Sequence, residues 1–278
     1  MTETFAEQWT AWHEAHERRR ADPHGFLAIT GLYWLGERPT GIPGLPGIWH
    51  TGEDGPVVDL AEGESLEVEG GTVRVRFAFG PLDERGDVTV GFDGGVIEVA
   101  RRGGRDLLRP RRPDADYLSR YAGTPAYPAD PRWRIDVRFE AYAHPRAYEV
   151  GAAVDGLTHV YDAPGELAFE FDGAPHRLVA FPGHRPGDLL VLFTDATSGV
   201  TTYAANRSVT VAAPDAEGRT VIDFTRATNL PCAYTDFATC PLPPARNRLP
   251  FAVEAGEKTP LSRAEGVATD AGIQAVRS

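Results

Sequence analysis

The chain has 278 residues, 42% hydrophobic and 24% charged, which is ordinary globular composition and enough length to bury a core without metals or disulfides. With 28 basic against 40 acidic residues its formal charge is −12, which argues against a nucleic-acid binder. It has no apolar run of membrane-spanning length and its first residues are acidic and polar, so the reading is a soluble, cytoplasmic protein that engages neither membrane nor nucleic acid.

Residues 4–20 read as one amphipathic helix. Thr4 and Glu7 have capping-box spacing, and Phe5, Trp9, Trp12 and His16 form one apolar stripe. Arg18, Arg19 and Arg20 suit the C-terminal dipole, and Asp22-Pro23 ends the helix. The apolar run 25–36 reads as buried strand or packed loop, and the Gly- and Pro-rich stretch 39–56 as loop. From residue 57 the period becomes two: Val73, Val75, Phe77 and Phe79, then Ile135, Val137, Phe139 and Ala141, alternate with polar partners. Turn signals such as Asp93-Gly94-Gly95 and Asp172-Gly173 separate roughly a dozen short strands. The basic run Arg101–Arg112 lacks interleaved aromatics and reads as a solvated hairpin. The fold class is therefore all-β, an antiparallel barrel or sandwich with one N-terminal helix. No linker divides the chain, so residues 1–258 read as a single domain, followed by a weakly ordered tail, 259–278.

Residues 223–258 differ from the rest. Five prolines, at 231, 241, 243, 244 and 250, remove backbone donors and break the alternation, leaving a long irregular cassette. The scarce residue types gather in or near it. Arg outnumbers Lys 27 to one, and the one lysine is Lys258; the three asparagines are Asn206, Asn229 and Asn247; the two cysteines are Cys232 and Cys240. Residues 203–258 carry six basic and six acidic groups, so the negative charge lies elsewhere.

Arg forks and Asn amides are fixed donors for carboxylate or phosphate. The first reading is thus a small-molecule enzyme or binding protein that recognises an anionic ligand. Arg207, Arg226, Asn229, Asn247 and Arg248 hold the anion; Lys258 and Cys232 are the reactive candidates; Tyr203 and Tyr234 orient substrate or donate a proton. The second reading is a non-catalytic structural or interaction module, in which Phe224, Leu230, Phe237, Leu242 and Leu249 plug the barrel. The third is a metal protein using Cys232 and Cys240. Their spacing of eight lies outside the usual zinc-knuckle range. His13, His16 and Glu17 share a helix face and could also hold a metal, but His16 falls on the aromatic stripe, which favours packing. The residues name no reaction, cofactor or oligomeric state.

The strings Asp223-Phe-Thr-Arg-Ala-x-Asn-x-Pro-Cys-Ala-Tyr234, Cys240-Pro-Leu-Pro-Pro-x-x-Asn-Arg-Leu249 and Ala255-Gly-Glu-Lys258 resemble the family called domain of unknown function 1684. Thr194–Tyr203, Arg207 and the segment Gly25–Leu35 look like further parts of it. Thr225 and Thr228 depart from its pattern, where Asn and Tyr are more usual. The resemblance implies one fold along the chain and an important cassette; it implies no activity.

Overall fold

The computed structural model describes residues 3–154, 156–269 and 272–275. It is mostly β, with eighteen strands among the described residues, sheets that include a half-barrel, and one long helix at the N-terminus. No helix among the described residues is long and apolar enough to cross a membrane. The backbone divides into two compact units. The first holds residues 1–17, 123–233 and 240–262; the second holds 18–122, 234–239 and 263–278.

The helix runs Phe5–Arg20. Its capping box forms as the spacing requires: Thr4 Oγ1 accepts from the Glu7 backbone, and the Glu7 carboxylate accepts from Thr4 N at 2.7 Å.

In the first unit six antiparallel strands lie in the order Arg207–Val211, Leu189–Phe193, Ala174–Pro182, Thr158–Phe171, Arg134–Gly151 and Arg219–Asp223. Alternation along them sends Ile135, Val137, Leu167, Phe169, Leu178 and Val191 to one face, where they bury around Trp133 and Phe224. Each such side chain contributes about 1.5–3 kcal/mol by leaving water. The face is covered by the cassette's own apolar residues, Ala227, Leu249, Val253 and Ala255. Gly165 sits where any Cβ would meet the Glu140 carbonyl, so the two longest strands can pair closely there.

The second unit holds an eight-stranded and a four-stranded sheet. Three expectations change here. The stretch read as loop, 39–56, supplies the strands Thr40–Gly41 and Ile48–Gly52 and starts Gly55–Asp59, because Trp49 buries completely against Val58 and Phe79 and holds the turns in register. The basic run does form a hairpin, Gly95–Arg102 with Arg105–Arg111, but only its tip, residues 103–105, is exposed. Leu107 and Leu108 are buried, and Arg109 and Arg111 both bind the buried Glu98 carboxylate. The stretch after Lys258, where the sequence loses period, carries the strands Gly266–Thr269 and Gly272–Ala275. The latter pairs with Gly31–Trp34, and Ile273 packs against Leu32 and Phe237. Four-residue strands stabilised by a distant partner are too short to leave a period in sequence.

Candidate functional site

The cassette is far more ordered than its composition implies, and its structure begins with one arginine. Arg207 is 1% exposed and ion-pairs Asp195 at 2.8 Å. The same guanidinium donates to the carbonyls of Val253, Ala255 and Glu257, drawing residues 253–257 into a tight path. Burial lowers the Arg207 pKa, while the Asp195 carboxylate opposes that shift. Asp195 is itself held by Thr197 and by the Val253 amide. Gly256 then turns the chain with φ +71°, and a Cβ there would lie 2.5 Å from the Ala227 carbonyl. That close approach lets the Glu257 amide donate to Ala227 at 2.9 Å.

Glu257 is 1% exposed, and its Oε2 accepts from the Asn229 amide at 2.7 Å. Asn229 Nδ2 donates to the Lys258 carbonyl at 2.7 Å, and the Lys258 amide donates to Pro125. The Lys258 ammonium stands 4.4 Å from the centre of the Tyr127 ring, a cation–π contact, and the Tyr127 hydroxyl meets Thr201 Oγ1 at 2.5 Å.

The N-terminal helix faces this turn. Trp9 Nε1 donates to the Thr225 carbonyl at 2.7 Å, and Arg226 lies over the Trp12 ring. Two stacks orient the imidazoles: Trp9 on His13 at 4.8 Å and Trp12 on His16 at 5.4 Å. His16 Nε2 lies 3.6 Å from Glu257 Oε1, and His13 Nε2 lies 3.9 Å from Glu17 Oε1. Ligand atoms of His13, Glu17 and Glu257 all fall within 4.8 Å of one another. Glu17 also accepts from the Thr124 amide at 3.3 Å. Two histidines and two carboxylates thus converge from two distant parts of the chain.

Few of the residues expected from sequence share this place. Lys258 and Asn229 belong to it, and Arg207 supports it from beneath. Arg226 rims it, 44% exposed and 3.5 Å from Asp223. Asn247 is fully buried elsewhere: its amide accepts from Val179 N and donates to the carbonyls of Val179 and Leu192. Arg248 is exposed and bridges by its backbone to Thr194. Tyr203 donates to the Cys232 carbonyl at 2.9 Å. Cys232 and Cys240 are both buried, and the Cys232 backbone N–H donates to Cys240 Sγ at 3.3 Å. Tyr234 belongs to the second unit, fully buried with Arg20, Phe26 and Tyr121 around its ring. The second unit also has clefts of its own. One of about 770 Å³ lies beside Trp34, Arg38 and Arg105, and another of about 520 Å³ beside Tyr33, Arg112 and Arg263. Of the cassette, Phe237 contributes to the latter.

From sequence, packing is favoured over metal binding for His16 on the helix. The available signal was the spacing of His13 and Glu17, which places them one above the other on a helix. Nothing in sequence places Glu257 beside them.

The fold and this group define a mostly-β protein with an imidazole–carboxylate cluster. The chain belongs to the family described as protein of unknown function (DUF1684), which matches residues 119–258. The helix and the segment Gly25–Leu35 lie outside that match. A solution NMR structure of an uncharacterised protein from Haloarcula marismortui is similar, at 31% identity and a TM-score of 0.44, over 52% of this chain and 81% of that one. No curated protein matches the chain.

Proposed function

We propose that this chain binds a small molecule carrying an anionic group where His13 and His16 meet Asn229, Glu257 and Lys258, and that His16 moves a proton there. The observation that carries this reading is the His16–Glu257 pair. A partly exposed imidazole lies 3.6 Å from a carboxylate that is 1% exposed. A buried carboxylate beside an imidazole can orient the ring, which is the arrangement general acid–base catalysis uses. Lys258 supports the anionic ligand: its half-buried ammonium is the one such charge in a chain that otherwise uses arginine. Arg226 adds a second positive charge on the rim. The anion-binding role first read into Arg207 and Asn247 passes to these groups, because those two side chains direct their donors to buried carbonyls and to Asp195.

Part of the cassette is packed. Phe224 and Leu249 are buried in the first unit's core, while Leu230 and Leu242 are only partly so. Packing there and ligand binding at 257–258 are compatible.

The test is a thermal-shift screen of small carboxylates and phosphates on wild type, His16→Ala and Lys258→Met. A ligand at 100 times its Kd stabilises by about 2.7 kcal/mol, which gives a clear shift. The expected result is a concentration-dependent rise for at least one anion, lost in both variants. No rise for any anion, or a rise that persists in both variants, overturns the reading.

A further inference from the structure

We infer that His13, Glu17 and Glu257 form a binding site for one divalent transition-metal ion of the zinc or manganese type. The inference deepens the reading above, since the ion would sit beside His16 and present open positions to the anionic group.

Three observations carry it. The ligand atoms of the three residues lie within 4.8 Å of one another. A metal about 2.0–2.2 Å from nitrogen and oxygen ligands needs them roughly 3–4.4 Å apart, so the group has to contract by only a few tenths of an ångström. Second, His13 Nε2 is buried and makes no hydrogen bond. Buried imidazole nitrogens are normally satisfied, and this one is aimed at Glu17, 3.9 Å away. Third, the supports resemble those of a built site. The His13 ring is stacked on Trp9 at 4.8 Å, Glu17 accepts from the Thr124 amide and Glu257 from the Asn229 amide. Such outer partners hold metal ligands in orientation.

The donor set selects the ion. One imidazole and two carboxylates suit zinc, manganese or iron(II) better than calcium or magnesium, which favour all-oxygen sites. Two carboxylates neutralise a divalent ion, so an added anionic ligand brings the only net charge. His16 lies outside the three-atom group, its Nε2 3.6 Å from Glu257 Oε1. The thiols supply none of these ligands, so the metal reading no longer depends on Cys232 and Cys240.

The experiment uses the full chain, stripped with chelator and titrated with zinc or manganese chloride alone, followed by calorimetry and elemental analysis. The expected result is one equivalent per chain in wild type and in the Cys232→Ser/Cys240→Ser double variant. His13→Ala and Glu17→Gln should each weaken binding by at least about 100-fold, because even outer partners are worth 10–100-fold. Both residues lie on the N-terminal helix with side chains 19% and 17% exposed, and circular dichroism verifies that these variants fold; Glu257→Gln is the riskier third. Less than a tenth of an equivalent in wild type overturns the site, as does binding that survives in His13→Ala and Glu17→Gln or disappears in the double Cys variant. Repeating the anion screen with and without metal separates the two proposals. An anion shift without metal uptake leaves the function standing and removes the metal; metal uptake without an anion shift does the reverse.

Discussion

Replacing Arg207 by Ala should unfold this protein more readily than any loss of a ligand contact could. The guanidinium is 1% exposed and its partner Asp195 is fully buried, so solvent does little to screen either. Removing it strands the Asp195 carboxylate and leaves the carbonyls of Val253, Ala255 and Glu257 without this donor. Breaking a buried pair by deleting one partner costs about 3–5 kcal/mol. At about 2–4 °C per kcal/mol for a chain of this size, the melting temperature should fall by roughly 6–20 °C. Urea unfolding followed by circular dichroism gives the free energy, and a thermal scan gives the shift. Arg207→Met combined with Asp195→Leu should recover much of the loss, because a well-packed apolar pair replaces two desolvated charges. If Arg207→Ala stays within about 1 kcal/mol of wild type, the guanidinium does not hold the 253–257 turn, and its first assignment as an exposed ligand contact would return.

Asn247→Ala should cost about 2–4 kcal/mol in the same unfolding assay, since it leaves buried backbone groups of Val179 and Leu192 unpaired; a loss below about 0.5 kcal/mol would contradict that role. Glu98 sets an acid limb of stability. Burial raises its pKa, but Arg109 and Arg111 outweigh burial and hold it below the usual carboxylate range. Its stabilisation is therefore complete above an unfolded pKa of about 4.3 and is lost as pH falls through the lower folded value. Urea unfolding between pH 3 and 7 should show Glu98→Gln less stable at neutral pH with a flatter acid limb, whereas parallel wild-type and variant curves would refute it. Cys232 and Cys240 should react with a thiol reagent only after denaturation, because both are buried; stoichiometric labelling of the native chain within minutes would show otherwise.

The helix and most strands were legible because their cause is local. Thr4 and Glu7 meet across one turn, and the residues from Ile135 to Arg138 alternate because successive side chains point to opposite faces, although Ala141 at the end of the run is exposed. The strands Thr40–Gly41 and Gly272–Ala275 were not legible, because a distant partner rather than a period stabilises them. The cassette's importance was visible in its composition, but the roles within it were not. Scarcity marked Asn229, Asn247 and Lys258 alike, and only the fold separates them: both asparagine side chains donate to backbone carbonyls, the Asn229 main-chain N–H reaches the Glu257 carboxylate, and the Lys258 ammonium lies over Tyr127.

His13 and Glu257 show the limit most directly. Sequence determined that His13, His16 and Glu17 share a helix face, since 3.6 residues per turn requires it. It also determined that residues 223–258 could not continue as a sheet, because proline lacks the donor a ladder needs. Only tertiary structure decided that this face and the end of that cassette meet. The contact spans some 240 residues and is made by Trp9 bonding to Thr225, Arg226 lying over Trp12, and Arg207 folding the chain so that Glu257 turns toward His16. Such a meeting is fixed by packing and by buried donors finding acceptors, and neither leaves a periodic mark in the order of residues.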